Sequence, residues 1–491
     1  MPVDTEHAKY RGVDYTLMDD VAAGEAQVKS KGATYLPKTP GQLAAEDDPN
    51  LDPDGNRYKV FRQMASFPDL VGPAVDAMIG LAHQGPAEFE LTPKLQSMEQ
   101  NATRDGQSLA TVAARVTRYI LLHGRCPILP DVDEQGIPYL SVYTGAALRN
   151  WRTAYAGMRE KVVLAVLAEA YEKENPNDKY KADEETQYRV IELDPDSKGL
   201  KATVYRKDGG NWVSVEELVS QQLTALEEVP IVVPGSIDLT LEPDDPPLWA
   251  MAGECLKAYN ISAHHKHLLR LMAQPTPTFT GIDKEDAPNG IGSEILNIFP
   301  DAGAQAFYME VSGTGVAAMK EAERDHITSA MQYAAQLVPT FAGEAAESLR
   351  IKAGGRTATL ASCVSMGAAG IEKALKFCAM MVGDDPDKVS YKPNLDFTRA
   401  DVDATMLTLL HGMVMSGMVP RDVLWESLRR GKLTTLDNEE LEAAIEQGAQ
   451  TVAAQLGGGN GSSGGSGSGA GVDDSGNGDS GGAGDRDQKP A

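Results

Sequence analysis

A few groups of residues in this sequence have the types and spacing to do chemistry. The first is Gly313-Thr-Gly-Val-Ala-Ala318, a degenerate G-x-G-x-x-G/A run between a strand-like stretch and a helix-like one. That context lets glycines bring backbone N–H groups against a pyrophosphate. A dinucleotide site also needs a second parallel strand ending in an acidic residue about 20 positions later. Here the helical pattern runs on to Val338 and meets Pro339, so a hinge between strand and rod is the better reading. The second group is His264, His265 and His267. His264 and His267 share a helix face, but no carboxylate or cysteine stands at the spacing that would complete a metal site. They read as surface or subunit-contact residues. The acidic pairs Asp244-Asp245 and Asp384-Asp385 lie in proline-flanked turns, where carboxylates are common. No nucleophile elbow, phosphate-binding P-loop, zincin or kinase signature is present. Cys126, Cys255, Cys363 and Cys378 lie far apart or on helix faces, without metal-type spacing, and read as core thiols of a reducing compartment. The expectation is no catalytic residue, no metal and no cofactor.

One charged segment remains. Pro339 to Thr359 carries Glu344, Glu347, Arg350, Lys352 and Arg356, punctuated by Gly343, Gly354 and Gly355. Such a loop between two rods is either an ordinary solvated connection or a projecting, mobile element.

The elements that position these groups are long. One helix is expected from Leu248 to Gln274, opened by Pro246-Pro247 and stopped by Pro275, with Met251, Cys255, Tyr259 and Leu269 among its apolar positions. At 1.5 Å per residue it is roughly 40 Å of rod. A second runs from Thr314 to Val338 with Val316, Met319, Ile327, Met331, Ala334 and Leu337 on one side. A third runs from Thr359 to Val382 with Leu360, Val364, Ala368, Ile371, Leu375 and Cys378 at helical spacing. Between the first two sits a small β-rich insert, with strand signals at 277–281, 295–299 and 306–311. Rods of this length suggest a tall, spoke-like architecture or an oligomer.

The rest of the chain reads as α+β. Residues 1–49 form a polar arm, expected as a loosely docked strap, with an apolar island at Lys31-Gly-Ala-Thr-Tyr-Leu-Pro37. Helical patterns follow at 58–81, interrupted by Pro68 and Pro73, and at 107–123, stopped by Gly124. Strands are expected at 126–130, 137–144, 188–193 and 202–206, the last ending in the Asp208-Gly-Gly210 turn, while 160–174 is ambiguous between helix and strand. Val229-Pro-Ile-Val-Val-Pro234 reads as an edge strand. After a returning strand at 389–397, helices are expected at 398–417, 420–430 and 439–454. The Gly/Ser/Asp-rich residues 456–491 cannot repay ordering entropy and are expected to be disordered.

Composition narrows the partners. The 491 residues carry a net charge of −26, so most of the surface is unsuited to gripping phosphate. An acidic wall can still surround a polyanion and keep it mobile. No apolar run reaches the ~18 residues a membrane span needs, and Met1 to Tyr15 is too polar for a signal peptide.

Several short stretches, in order, resemble the portal proteins of tailed bacteriophages, the ring at the head–tail vertex. They are Gly32-Ala-Thr-Tyr-Leu-Pro37, Ile137-Pro-Tyr-Leu-Ser-Val-Tyr143 leading to Asn150-Trp151-Arg152, Tyr188-Arg-Val190, Val229-Pro230 before Pro246-Pro-Leu248, Tyr259-Asn-Ile-Ser-Ala263, and Gln274-Pro-Thr276 before Phe279-Thr-Gly281. Together they span about residues 30–430. The resemblance implies a wing from 50–245 and 359–397, stem helices at 246–275 and 314–338, a clip at 276–313, a tunnel loop at 339–358 and a crown at 398–455. It implies a homo-oligomeric ring, a dodecamer by family habit, that passes double-stranded viral DNA. It also implies a clip, with Asp283, Lys284, Glu285, Asp286 and Asn289, that docks the terminase large subunit and later a head–tail adaptor. Major capsid and scaffold proteins would be further partners. The place would be the virion's portal vertex, reached from the host cytoplasm, with no membrane and no enzymatic activity. Arg350, Lys352 and Arg356 would touch DNA phosphates. Two alternatives stay open: another acidic capsid-associated ring protein, and a nucleotide-binding enzyme using Gly313–Ala318.

Overall fold

The computed structural model describes residues 2–48, 55–175, 178–193, 199–218, 226–273, 276–281, 303–309, 315–337, 358–395, 404–416, 420–430 and 440–445, with a few isolated positions between. It divides into two compact units, residues 1–397 and 398–491. Helix and strand are mixed, an α+β chain.

The first unit is built around two helices. Helix α6, Leu109–His123, starts where the Ser108 hydroxyl accepts from the Thr111 N–H at 3.3 Å and ends at Gly124, whose left-handed φ of 70° suits the cap. Leu109, Val112, Val116 and Ile120 recur at helical spacing and are fully buried. Helix α9, Ala358–Met381, packs on α6 and on the two-stranded sheet formed by β2, Ile128–Val132, and β3, Pro138–Val142.

The N-terminal residues depart from the sequence expectation of a loose strap. They fold into α1, Gly12–Ala22, α2, Glu25–Ser30, and α3, Pro40–Asp47, the last closed by a Thr39/Gln42 capping box. Tyr15, Met18, Val21, Val28 and Leu36 are buried in the main core. Those apolar positions are sparse among acidic residues, which is why the segment reads as an arm. Helices α4, Arg57–Met64, and α5, Val71–Ala82, follow. Pro73 is tolerated in the first turn of α5, where its missing N–H has no intrahelical partner.

A five-stranded antiparallel sheet comes next, in the order β4 Leu148–Ala156, β5 Arg159–Asn175, β6 Asp178–Leu193, β7 Leu200–Asp208 and β8 Asn211–Leu218. The ambiguous stretch 160–174 is therefore strand. Its Ala, Glu and Lys residues favour helix in isolation, and pairing on both sides overrides that weak preference. Ala165, Leu167, Ile191 and Ala202 face the main core, while Val166, Tyr188 and Val190 form a small cluster on the outer face. The expected edge at 229–234 is present as isolated bridges, Ile128 with Val232 and Arg125 with Gly235.

A short pair, β1 Glu88–Glu90 with β11 Ser390–Lys392, returns the chain to the first unit. The second unit shows α10, Ala404–Met415, α11, Arg421–Arg430, and helical backbone at 440–445. The expected cap at Thr398, most of the last helix and the tail at 456–491 lie outside the described residues.

Candidate channel and docking elements

Helix α7, Trp249–Met272, and helix α8, Val316–Leu337, run antiparallel against each other. Three cross-contacts fix the arrangement. Glu254 meets His326 at 2.6 Å, His265 meets Glu323 at 3.0 Å, and the Met272 side chain sits against Gly313. Numbers rise on one helix as they fall on the other.

One end of this hairpin is anchored. Met251, Ala252, Cys255, Ala258, Tyr259, Ser262 and Ala263 of α7 are buried, as is Ala330 of α8. The α4 region grips α7 from the side. Phe67 meets Tyr259 edge-on, the Ser66 N–H donates to Ser262 Oγ at 3.0 Å, and Phe61 stands edge-on to both His264 and His267. Burial and the nearby Arg270 hold His267 below the usual histidine range. Glu254 accepts from Lys257 and His326, and these bonds hold its carboxyl below the usual glutamate range.

The other end is bare. Leu269 and Leu271 are 42% and 45% exposed. Beyond them β9, Thr276–Thr280, pairs with β10, Gln305–Met309, presenting Phe307 and Tyr308 half-exposed. Gly281, at φ 74°, closes the mouth of the insert: a Cβ there would stand 2.7 Å from the Gly303 carbonyl. Asp283 is exposed, while Lys284, Glu285, Asp286 and Asn289 lie outside the described residues, as does the strand expected at 295–299.

The loop that would carry Glu344, Glu347, Arg350, Lys352 and Arg356 also lies outside the described residues. Its two anchors are described. It leaves α8 at Leu337 and enters α9 at Ala358, whose Leu360, Cys363, Ile371, Leu375 and Cys378 are buried.

The glycine run at 313–318 does not acquire a nucleotide-binding context. The strand before it belongs to an antiparallel hairpin, and every strand pair among the described residues is antiparallel. The acidic pairs serve local structure. Asp244 accepts from the Ile237 N–H at 2.8 Å, Asp245 from Arg11 at 2.5 Å, and Asp385 from the Asp387 N–H at 3.0 Å. Lys94 pairs with Asp384 at 3.4 Å. All four cysteines are buried and free, and burial pushes the Cys255 and Cys363 thiols up to about 12. Among the described residues no group of three His, Cys, Asp or Glu side chains is placed to hold a metal, and no helix is long and apolar enough to cross a membrane.

Two features escaped the sequence reading. One is Arg125, wholly buried, whose guanidinium donates to the carbonyls of Gly145, Leu148 and Leu241 at 2.9–3.2 Å and stacks beside Tyr15 and Trp151. Nothing in an isolated arginine before a cysteine signals that role. The other is the β4 edge of the five-stranded sheet, along which residues 3–7 pass toward the outer face. The His7 N–H donates to the Arg149 carbonyl at 2.9 Å, the His7 ring stacks on Trp151 at 3.9 Å, and Val3 packs on the Tyr188 cluster.

Residues 247–382 match a family described as a domain of unknown function, DUF4055. The match begins two residues before α7 and ends one after α9, so it covers the hairpin, its insert, the following loop and the third rod. No curated protein matches the chain. Among solved structures, the chain is similar to a chain of the neck of an empty GTA particle computed with C6 symmetry. That similarity has 16% identity and a TM-score of 0.36, and it covers 79% of this chain and 92% of that one. A TM-score of that size does not define a common fold.

Proposed function

We propose that the protein is a portal-type subunit of a tailed-phage-like particle, assembling head-to-tail into a ring through which double-stranded DNA passes. The observation that carries the reading is the α7–α8 hairpin. It is anchored at one end in an α+β body, bears apolar side chains in solvent at the other, and supports a small β module. A lone chain gains nothing by exposing Leu269, Leu271, Phe307 and Tyr308 together. A ring of identical hairpins covers them, because a heterologous contact repeated by a closing rotation leaves no face unpaired. The ordered sequence resemblance across residues 30–430 adds the identity of the ring. In this reading the β9–β10 module docks a packaging motor and later an adaptor, and the 339–358 tunnel loop faces the channel. Arg350, Lys352 and Arg356 there make transient phosphate contacts inside a wall acidic enough to let DNA slide. ATP hydrolysis belongs to a separate protein.

The test is negative-stain imaging of the purified chain, alone and with scaffold protein. Rings with an axial hole wide enough for duplex DNA are expected. Closed particles without a channel, or monomers under both conditions, refute the proposal.

A further inference from the structure

We infer that the outer face of the five-stranded sheet carries a docking groove for an extended acidic segment of a partner protein, continuing the path of the chain's own residues 3–7. The chain itself supplies the first part of the argument. The strap Val3-Asp4-Thr5-Glu6-His7 leaves a turn in which the Thr5 N–H donates to the Pro2 carbonyl at 3.3 Å and runs to the β4 edge, where the His7 N–H meets the Arg149 carbonyl. Arg149 binds Glu6 at 2.9 Å, Asn150 donates to the Thr5 carbonyl at 3.0 Å, and Val3 seats on the cluster of Val166, Tyr188 and Val190. The face thus takes one apolar side chain and one carboxylate from the same segment.

The strap fills only part of the face. Beside it lies a pocket of about 460 Å³ lined by Arg149, Lys173, Glu185, Tyr188, Lys207 and Trp212. Arg149 is shared by the strap and the pocket. Three cations and one carboxylate line it, and that carboxylate, Glu185, is already held by Lys173 at 2.9 Å and by the Tyr171 hydroxyl at 2.8 Å. In a chain of net charge −26, a cation-rich pocket runs against the general field. Tyr188 and Trp212 form its apolar floor, edge-to-face at 4.8 Å, with the Lys207 ammonium 5.9 Å from the Trp212 ring. Such a floor receives an aliphatic or aromatic side chain, while Lys207 and Arg149 receive the flanking carboxylates. Charge complementarity favours an acidic peptide over a second, equally acidic body of this chain.

The experiment uses the full chain and a fluorescein-labelled Val-Glu-Val-Glu-Val-Glu peptide, followed by anisotropy at low salt. Saturable binding is expected, with no saturation by the Val-Lys counterpart. Lys207→Glu should weaken it by about tenfold or more, as reversal of a rim charge does at an electrostatically matched site. Trp212→Phe should remove the accompanying tryptophan fluorescence change while binding persists. Lys207 is exposed, so its variant keeps the wild-type melting temperature. Three results would overturn the inference: no binding of the Glu peptide at millimolar concentration, equal binding of the Lys peptide, or an affinity unmoved by Lys207→Glu. Tighter binding of single-stranded oligothymidylate than of the Glu peptide would also sink it, by making the pocket a nucleic-acid site.

Discussion

Single side chains set the tolerance of this fold to change. Arg125 is a buried cation held by three backbone carbonyls and two rings, with carbonyls doing what a carboxylate does elsewhere. Burial pulls its pKa down. Removing it strands those carbonyls in the core. Arg125→Ala is therefore expected to lose about 4 kcal/mol of stability and Arg125→Lys about 2, since an ammonium cannot reproduce the planar fork. Urea denaturation reads both, and equal losses would show that packing rather than hydrogen bonding is at stake. Glu254 sets a pH dependence. Its folded-state carboxyl titrates below the ordinary value of 4.5, so the unfolded chain takes up its proton first. The Glu254 contribution is present above about pH 4.5 and is lost as pH falls through the folded value. Melting temperatures of wild type and Glu254→Gln should converge as pH drops from 6 to 3. A constant gap over that range would remove Glu254 from the account.

At the scale of elements, legibility followed the punctuation. The three rods are bracketed by prolines or capped by turn residues, and their observed ends fall within two residues of those expected. Strands β5 and β6 were harder. Their outer stretches, Glu169–Asp183 among them, are so rich in charge and alanine that only cross-strand pairing decides the matter. The N-terminal helices were missed because their few apolar residues are recruited by a core built from distant segments. The candidate site was legible as a layout and not as chemistry. The hairpin could be read from sequence. The Glu254–His326 and His265–Glu323 links, and the basic pocket on the sheet, depend on which residues face each other across elements. The stripe on α7 also changes character along its length, buried to Ala263 and exposed by Leu269. Sequence spacing alone treats both halves alike. If the exposed half is a subunit contact, Leu269→Asp with Leu271→Asp should leave the melting temperature of the unassembled chain within a degree or so and abolish rings in negative stain. A fall in that melting temperature would place both residues in the intramolecular core instead.

For the whole molecule, assembly sets a chain of net charge −26 against copies of itself. Rings should accordingly form more readily near physiological ionic strength, where the Debye length is about 8 Å, than in dilute buffer. The anchored hairpin has a mechanical consequence. It is a cantilever: Tyr259, Cys255 and Ala330 clamp the root, while β9 and β10, among the described residues, pack chiefly on each other. Helix α7 is buried as far as Ala263, so the free arm from there to Met272 is about 14 Å long. A tilt of about 5° at the root then moves the end of the helix by about 1 Å, enough to stretch a hydrogen bond of about 2.9 Å beyond bonding range. Small repacking around Tyr259 and Phe67 is thereby geared up into a displacement at the tip large enough to make or break a polar contact, and a load on the tip is geared down into torque on the buried root.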